Sequence, residues 1–504
     1  MSSGQWSTSP DSALPLEIRD GPVYYNDGIN LIDSTMMAFW FFGYYNQERE
    51  YTQKLTTDGL RIFGPEGQRV CPNVESVQGK GRCTLDTSGG CFLTWRDYRS
   101  GNYDIYGQHF NAAGEFLWDS AGVALVVMPG HQTQSICPDG AGGFYLGWVN
   151  DYGATSTISV CRYNSEGNRY WDYLLVSNLN GGHIPGIAPD DDGGAIIIWY
   201  NDNTNALYGQ RITASGEILW TPNGHYLANN ISNPANSNYS FPFVISDGEG
   251  GALYRGDASM LRVSPSGDVL WTQTYAVSWP GSAYSQQIEL TPSGKIYAVV
   301  LTSGTGFNDV FLSCLNLNGG FVWENVNFTN PSIEKEWPSF TLTSNGVICH
   351  VPYMVGTTDA MYAQAVDSLG NILWRPGGVE VYDTEEHCFH QHVYSDLSDG
   401  AIGIFPARIV WLASSDDSLY ASRILPDGTL GFLPVIDDLT VEMRESGAEL
   451  RWGALSGALM YNIFTSLEAG SFPVEPDTSV ADTVYIDVGA MGEMKKFYRV
   501  TYVK

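Results

Sequence analysis

Residues 86–125 read DTSGGCFLTWRDYRSGNYDIYGQHFNAAGEFLWDSAGVAL. GGCFLTW is apolar and aromatic, RDYRSGN is a polar turn, DIYGQHF alternates, NAAG turns again and EFLWDSAGVAL returns. That is the pattern of consecutive β-strands joined by tight turns, and no part of it has helical spacing. The closing hairpin recurs along the chain as TTDGLRIF (to Phe63), NAAGEFLW (Trp118), NSEGNRYW (Trp171), TASGEILW (Trp220), SPSGDVLW (Trp271), LNGGFVW (Trp323), DSLGNILW (Trp374) and LPDGTLGF (Phe432). Each copy places a glycine four residues before its aromatic. A strand-built repeat of roughly 50 residues implies a propeller or a solenoid.

The first half of the unit recurs as well. Asp86, Asp139, Asp190 and Asp247 open DxxGG turns that lead into CFLTW, FYLGW, AIIIW and ALYRG, and later copies decay to TPSGKIYAV, TSNGVICHV and SDLSDGAIGIF. Gln53, Gln108, Gln210 and Gln364 each stand ten residues before the aromatic. A polar residue repeated in register does the same job in every copy, so these glutamines read as ties between a strand and nearby backbone, not as catalysts. Each unit supplies an inner strand (QSICP, FVISD), the GG strand, the IYGQ strand and the W strand, which together make a four-stranded blade.

The expected fold is therefore all-β: an eight-bladed β-propeller over residues 1–433, or a seven-bladed one if the first or fifth unit is absorbed. A ring must hide the edge between its first and last blades. WSTSPDSALPL (Trp6 to Leu16) reads like WDSAGVAL after Trp118 and WTPNGHYLA after Trp220. Residues 1–16 are accordingly expected to pair into the last blade as its outermost strand.

The pattern of DxxGG, W, D and R, DIYGQ and GxxLW resembles repeats of secreted or surface β-propeller proteins of bacteria. The GEFLW and GDVLW turns also resemble the tryptophan-docking motifs of eight-bladed pyrroloquinoline-quinone propellers and, more loosely, the Asp-boxes of sialidases. An adjacent cysteine pair, an SxDxGxTW box and an arginine triad are missing from the motif positions, so the resemblance carries geometry and not quinone or sialidase chemistry. Residues 434–504 resemble a small fibronectin type III β-sandwich, with Trp452 as its core tryptophan, Tyr461 on the third strand and Tyr498 on the late FYRV strand. That resemblance implies a spacer or adhesive module, an extracellular or cell-surface setting, and self-association through the tail as one mode of partnering.

The chain has 504 residues, 43% hydrophobic and 16% charged, enough to bury a large core. Its net charge of −30 repels nucleic acid and anionic membrane and favours cations, basic partners or simple solubility. Eight cysteines show neither CxxC nor zinc spacing and mostly lie in apolar strands, where a free thiol packs as a small core residue. Cys83 and Cys91 flank one turn and are the pair that a disulfide across neighbouring strands would join. No apolar run approaches the roughly 20 residues of a membrane span. MSSGQWSTSP is not a signal peptide, so the expectation is either a cytosolic protein or a chain that starts after a removed signal.

In a propeller the loops from each outer strand to the next inner strand gather at one end, where ligands bind. The candidates they supply are His131, Gln132, His183, Tyr239, Tyr284, Gln286, Glu336, Trp337, His390 and His392. Aromatic rings beside amides and imidazoles suit a glycan, peptide or protein ligand. His390 and His392 would share one strand face and, with His387 and Glu386, are the candidate ligands of a transition metal. PDDDGG, PDGAGG and SDGEGG are candidate Ca²⁺ turns, but they lack DxDxDG spacing, and Asp there caps its own turn. No other cofactor is expected. No nucleophile, HExxH or phosphate-loop motif is present. The function expected is a non-enzymatic extracellular binding or scaffold protein. The alternatives are a carbohydrate-active hydrolase or lyase at the same face, and a structural subunit of a surface assembly.

Overall fold

The computed structural model describes residues 6–431 apart from 9, 11–12, 18, 20–21, 45, 154, 230, 232–242, 257–258, 275–280, 305–306, 331, 356–357, 384–386, 389–391 and 409–416, and then 440–444, 447–452, 460–466, 478–487 and 497–503. Among the described residues the regular elements are strands, and no helix is long and apolar enough to cross a membrane. The chain divides into two compact units, Met1–Gly431 and Phe432–Lys504.

In the first unit each repeat is one antiparallel sheet. Gln78–Leu85, Cys91–Asp97, Asp104–Phe110 and Val123–Val126 pair in chain order, with Leu85 opposite Cys91 and Asp97 opposite Asp104. Sheets of the same order begin with Val23–Asn30, His131–Pro138, Gly186–Pro189, Val244–Ser246 and Gly281–Leu290. In the sheet built on Gly346–Val355 the first strand is split, since both Glu334–Lys335 and Ser339–Thr343 pair with it. The last sheet has a split first strand too, and its outermost strand is Leu14–Glu17, antiparallel to Asp417–Ile424. The architecture is a propeller-like array of mostly four-stranded antiparallel sheets.

Side chains alternate across a strand, and here both faces are covered. Cys91, Leu93 and Trp95 pack against Met37 and Phe39 of the preceding sheet, while Phe92 packs against Phe144 and Leu146 of the following one. That is why CFLTW reads as continuously apolar instead of alternating.

The repeated tryptophans staple each sheet to the next. The indole N–H groups of Trp118, Trp171, Trp220, Trp271, Trp323 and Trp374 donate to the carbonyls of Ser165, Ala214, Pro265, Leu317, Ser368 and Pro426, at 2.7–3.2 Å. Each carbonyl belongs to the closing turn of the next repeat. Two residues further on, the turn glycine holds φ between +80° and +95° and lies beneath the same ring, so a Cβ there would clash with it. Trp6 makes the equivalent bond to Thr57 at 2.9 Å, with Gly59 beneath it. Phe63 has no side-chain N–H, and at that seam Lys54 donates instead to the carbonyl of Ala112.

The repeated glutamines and aspartates are consumed by the same framework. Gln108 Oε1 accepts from His109 N and Trp118 N while its amide donates to Asp119 O, and Gln53, Gln210 and Gln364 repeat this pattern. In Asp86, Asp139, Asp190, Asp247 and Asp396, Oδ1 accepts two N–H groups of its own turn at 2.6–3.0 Å. Oδ2 pairs with His109, Arg162, Arg211, Arg262 or Arg423 respectively. Each of those side chains also reaches the carbonyl that the neighbouring indole uses. One corner thus cross-links two turns and two sheets, with each turn aspartate paired.

The cysteines at 71, 83, 91, 137, 161, 314 and 349 are free. No bond joins Cys83 to Cys91, because the hairpin register sets Cys83 opposite Leu93 and Cys91 opposite Leu85.

In the second unit the described residues form two three-stranded sheets. One orders Thr440–Arg444, Gly447–Arg451 and Val484–Asp487; the other orders Thr478–Val480, Met460–Ser466 and Phe497–Val503. Leu450, Trp452, Tyr461, Ile463 and Val500 form their shared core, with Trp452 and Tyr461 edge to face at 5.4 Å. The Tyr498 hydroxyl donates to Asp487 at 2.8 Å.

Candidate functional site

The loop-derived candidates fall into three groups. His131, His183, Glu336 and Trp337 are accessible: His131 is exposed, Trp337 is 36% exposed, and half-buried His183 pairs with Asp202. Gln132 and His392 are buried instead. The Gln132 amide donates to Asn150 at 2.6 Å, and His392 packs edge-on against Tyr25 at 5.0 Å with its Nδ1 3.3 Å from the Tyr394 hydroxyl. Both begin inner strands, where a side chain turns into a seam instead of toward solvent. Tyr284 and Gln286 lie on Gly281–Leu290 and His387 pairs with Arg408, all three without described side chains; Tyr239, Glu386 and His390 lie outside the described residues. Among the described residues no three His, Cys, Asp or Glu side chains converge as a metal would require.

The polar turn RDYRSGNYD holds a second set that loop membership did not single out. Its alternate residues are structural. Asp97, fully buried, accepts from the Trp95 indole, Ser76, Gln78 and Arg99, and Arg99 donates to Ala121 O while lying 3.8 Å over the Tyr106 ring. Arg96 and Tyr98 face the other way. The residue after the strand tryptophan is Phe41 in the first sheet, Val149 in the third and Tyr200 in the fourth, and the last two are buried in seams. Arg96 fills that apolar position in the second sheet. Its guanidinium lies 4.1 Å over the Tyr103 ring, its Nε is buried with no hydrogen-bond partner among the described residues, and burial draws its pKa below the usual value.

Two more cations stand on the adjacent inner strand. Arg96 is opposite Gly79, and the next residue, Lys80, sits in a bulge at φ +56°. Burial, followed by repulsion from Arg96 and Arg82, pushes the Lys80 amine down to about 8. Arg82 is balanced in part by Asp27 of the first sheet. Toward the rim, Tyr98 is 42% exposed with its ring 5.0 Å from Tyr103, and the Tyr103 ring is 5.6 Å from His131. Across this seam Tyr103 N–H donates to the imidazole Nδ1 of His131 at 3.3 Å and Gln132 N–H to Tyr103 O at 2.8 Å. The signal in the sequence was an arginine at a position whose copies carry Phe, Val and Tyr.

A cleft of about 850 Å³ opens at the DxxGG-turn end between Ile245–Glu249 and Ile288–Gly294. Glu289 lines it, bonded to the Gln287 amide at 2.5 Å, and burial raises its carboxyl to about 8. Glu249 at the same cleft is paired with Arg262.

No protein-family model matches the chain, and no curated protein does. Solved structures similar to it include prolyl oligopeptidase B from Galerina marginata, at 14% identity and a TM-score of 0.42 over 78% of this chain and 55% of that one. A leech intramolecular trans-sialidase is similar at 10% identity and a TM-score of 0.36, over 85% and 71%. So is a protein of unknown function from Dyadobacter fermentans, at 10% identity and a TM-score of 0.39, over 84% and 99%. The chain spans about half the length of the oligopeptidase.

Proposed function

We propose that the first unit is an eight-bladed propeller closed by its N-terminal strand, that the second is a fibronectin type III-like module, and that the protein is a non-enzymatic binding or scaffold protein acting outside the cell. Pairing of Leu14–Glu17 with the last sheet and the staple from Trp6 to Thr57 support closure. The two small sheets around Trp452 support the module. One observation carries the function: the repeated polar residues are spent on holding sheets together, while residues that differ between copies, Arg96, Tyr98, Tyr103 and His131, gather at the loop-rich end. Where copies diverge on a rigid scaffold, binding is the expected role. Screening the intact protein on glycan and peptide arrays tests this; the reading expects a ligand lost on changing rim residues and no turnover in a hydrolase screen.

The Glu289 cleft favours a second reading, a carbohydrate-active hydrolase. A carboxyl that keeps its proton near neutral pH is what a general acid needs. Turnover of a glycan substrate abolished by Glu289→Gln would replace the first reading with this one.

A further inference from the structure

In a chain of 25 basic and 55 acidic residues, a place where three bases meet runs against the background. Several buried cations of the first unit are matched by carboxylates: Arg262 by Asp247 and Glu249, Arg423 by Asp396, Lys335 by Asp309 at 2.6 Å. Among the described residues Arg96 makes no ion pair with a carboxylate; its guanidinium lies over the Tyr103 ring, and a charged neighbour is another cation, Lys80. Burying a guanidinium where copies bury Val or Tyr costs stability unless an anion repays it. At the rim of the seam Tyr98 offers an exposed ring next to Tyr103 and His131. A planar guanidinium suits a carboxylate, and an exposed aromatic face suits a sugar ring.

We propose that the seam between Cys91–Asp97 and His131–Pro138 is a site for an acidic saccharide, with a hexuronate carboxylate held by Arg96 beside Lys80 and the sugar ring set against Tyr98. The proposal rests on the binding role above and specifies its ligand class. Calorimetry of the whole protein would use three probes: an oligogalacturonate, a neutral galactose oligomer of the same length, and inorganic sulfate. The acidic oligomer binds, its affinity falls with added salt, and the neutral oligomer does not bind. Arg96→Val, the residue the third sheet carries there, keeps the fold and lowers the affinity by roughly tenfold or more, and Tyr98→Ala lowers it with less change in salt dependence. The thermal transition of each variant confirms that it is folded. Acidic oligomer that fails to bind, or binds Arg96→Val as well as it binds the parent, overturns the proposal. Sulfate binding as tightly as the oligomer overturns its saccharide half. If array glycans bind with no dependence on Arg96, the acidic-ligand inference fails and the binding role stands; if neither the arrays nor the oligomer gives binding, both fail.

Discussion

Replacing Trp6 with alanine would test how the first unit is held together. Trp6 is 1% exposed, covers Gly59 and donates to Thr57 O at 2.9 Å, a carbonyl that Arg423 also reaches at 2.9 Å. Truncating a buried aromatic costs about 3–5 kcal/mol, and Arg423 keeps the carbonyl satisfied, so the expected loss is about 4 kcal/mol. Trp374 makes the same staple from a half-buried position, so Trp374→Ala costs about half as much. The loss is local, because Leu14–Glu17 is an outermost strand with a single partner. Hydrogen exchange at Asp417–Ile424 therefore accelerates by up to roughly a thousandfold in Trp6→Ala, while Cys91–Asp97 keeps its protection. Unchanged protection at Asp417–Ile424, or equal costs for the two tryptophans, would refute the assignment of Trp6 as the staple of the last sheet.

Gln210→Leu removes the side-chain acceptor of Arg211 N and Trp220 N and one of the two donors to Thr221 O, which keeps Gly224 N, and denaturant melts should show a loss of about 2–3 kcal/mol. Glu289 keeps its proton to about 8 in the folded protein against 4.5 otherwise, so the folded state binds more protons between those values and stability falls as pH rises through them. Glu289→Gln should remove that slope, bounded at about 5 kcal/mol and smaller for the solvent in the cleft, in urea melts at the two ends of the window. Lys80 has the opposite sense: its folded value is about 8 against 10.5, the unfolded chain binds more protons in that window, and stability rises with pH across it. Lys80→Met should flatten this rise, and a slope that survives the substitution would reassign it to another group.

The parts of the fold legible in the sequence are those whose geometry demands one residue type. A turn at φ near +85° under an indole needs glycine, the ring above it needs an aromatic, and a side chain that must accept two N–H groups and donate one needs glutamine. Trp6 was readable for the same reason, since WSTSPDSALPL carries the residues that follow a staple. The partner facing each turn aspartate was not readable: the job accepts His109 as well as Arg162 or Arg211, and the partners lie across a hairpin, so no fixed spacing advertises them. Gln132 and His392 looked like rim residues because they are polar and close a loop, yet each begins a strand, and the alternation of that strand buries it.

Arg96 lies between these cases. A position filled by Phe41, Val149 and Tyr200 in other copies is apolar by physical requirement, so a guanidinium there costs stability that the fold itself does not recover. The framework can bear the cost because the staples sit at the closing-turn ends of the sheets, away from Arg96, with an indole at seven seams and Lys54 taking its place at the seam of Phe63. Redundant seams make one of them free to diverge. A repeat protein gains a site in this way without redesigning its core: one apolar seam position becomes charged, the cost is spread over staples that remain intact, and the charge is recovered only when something binds.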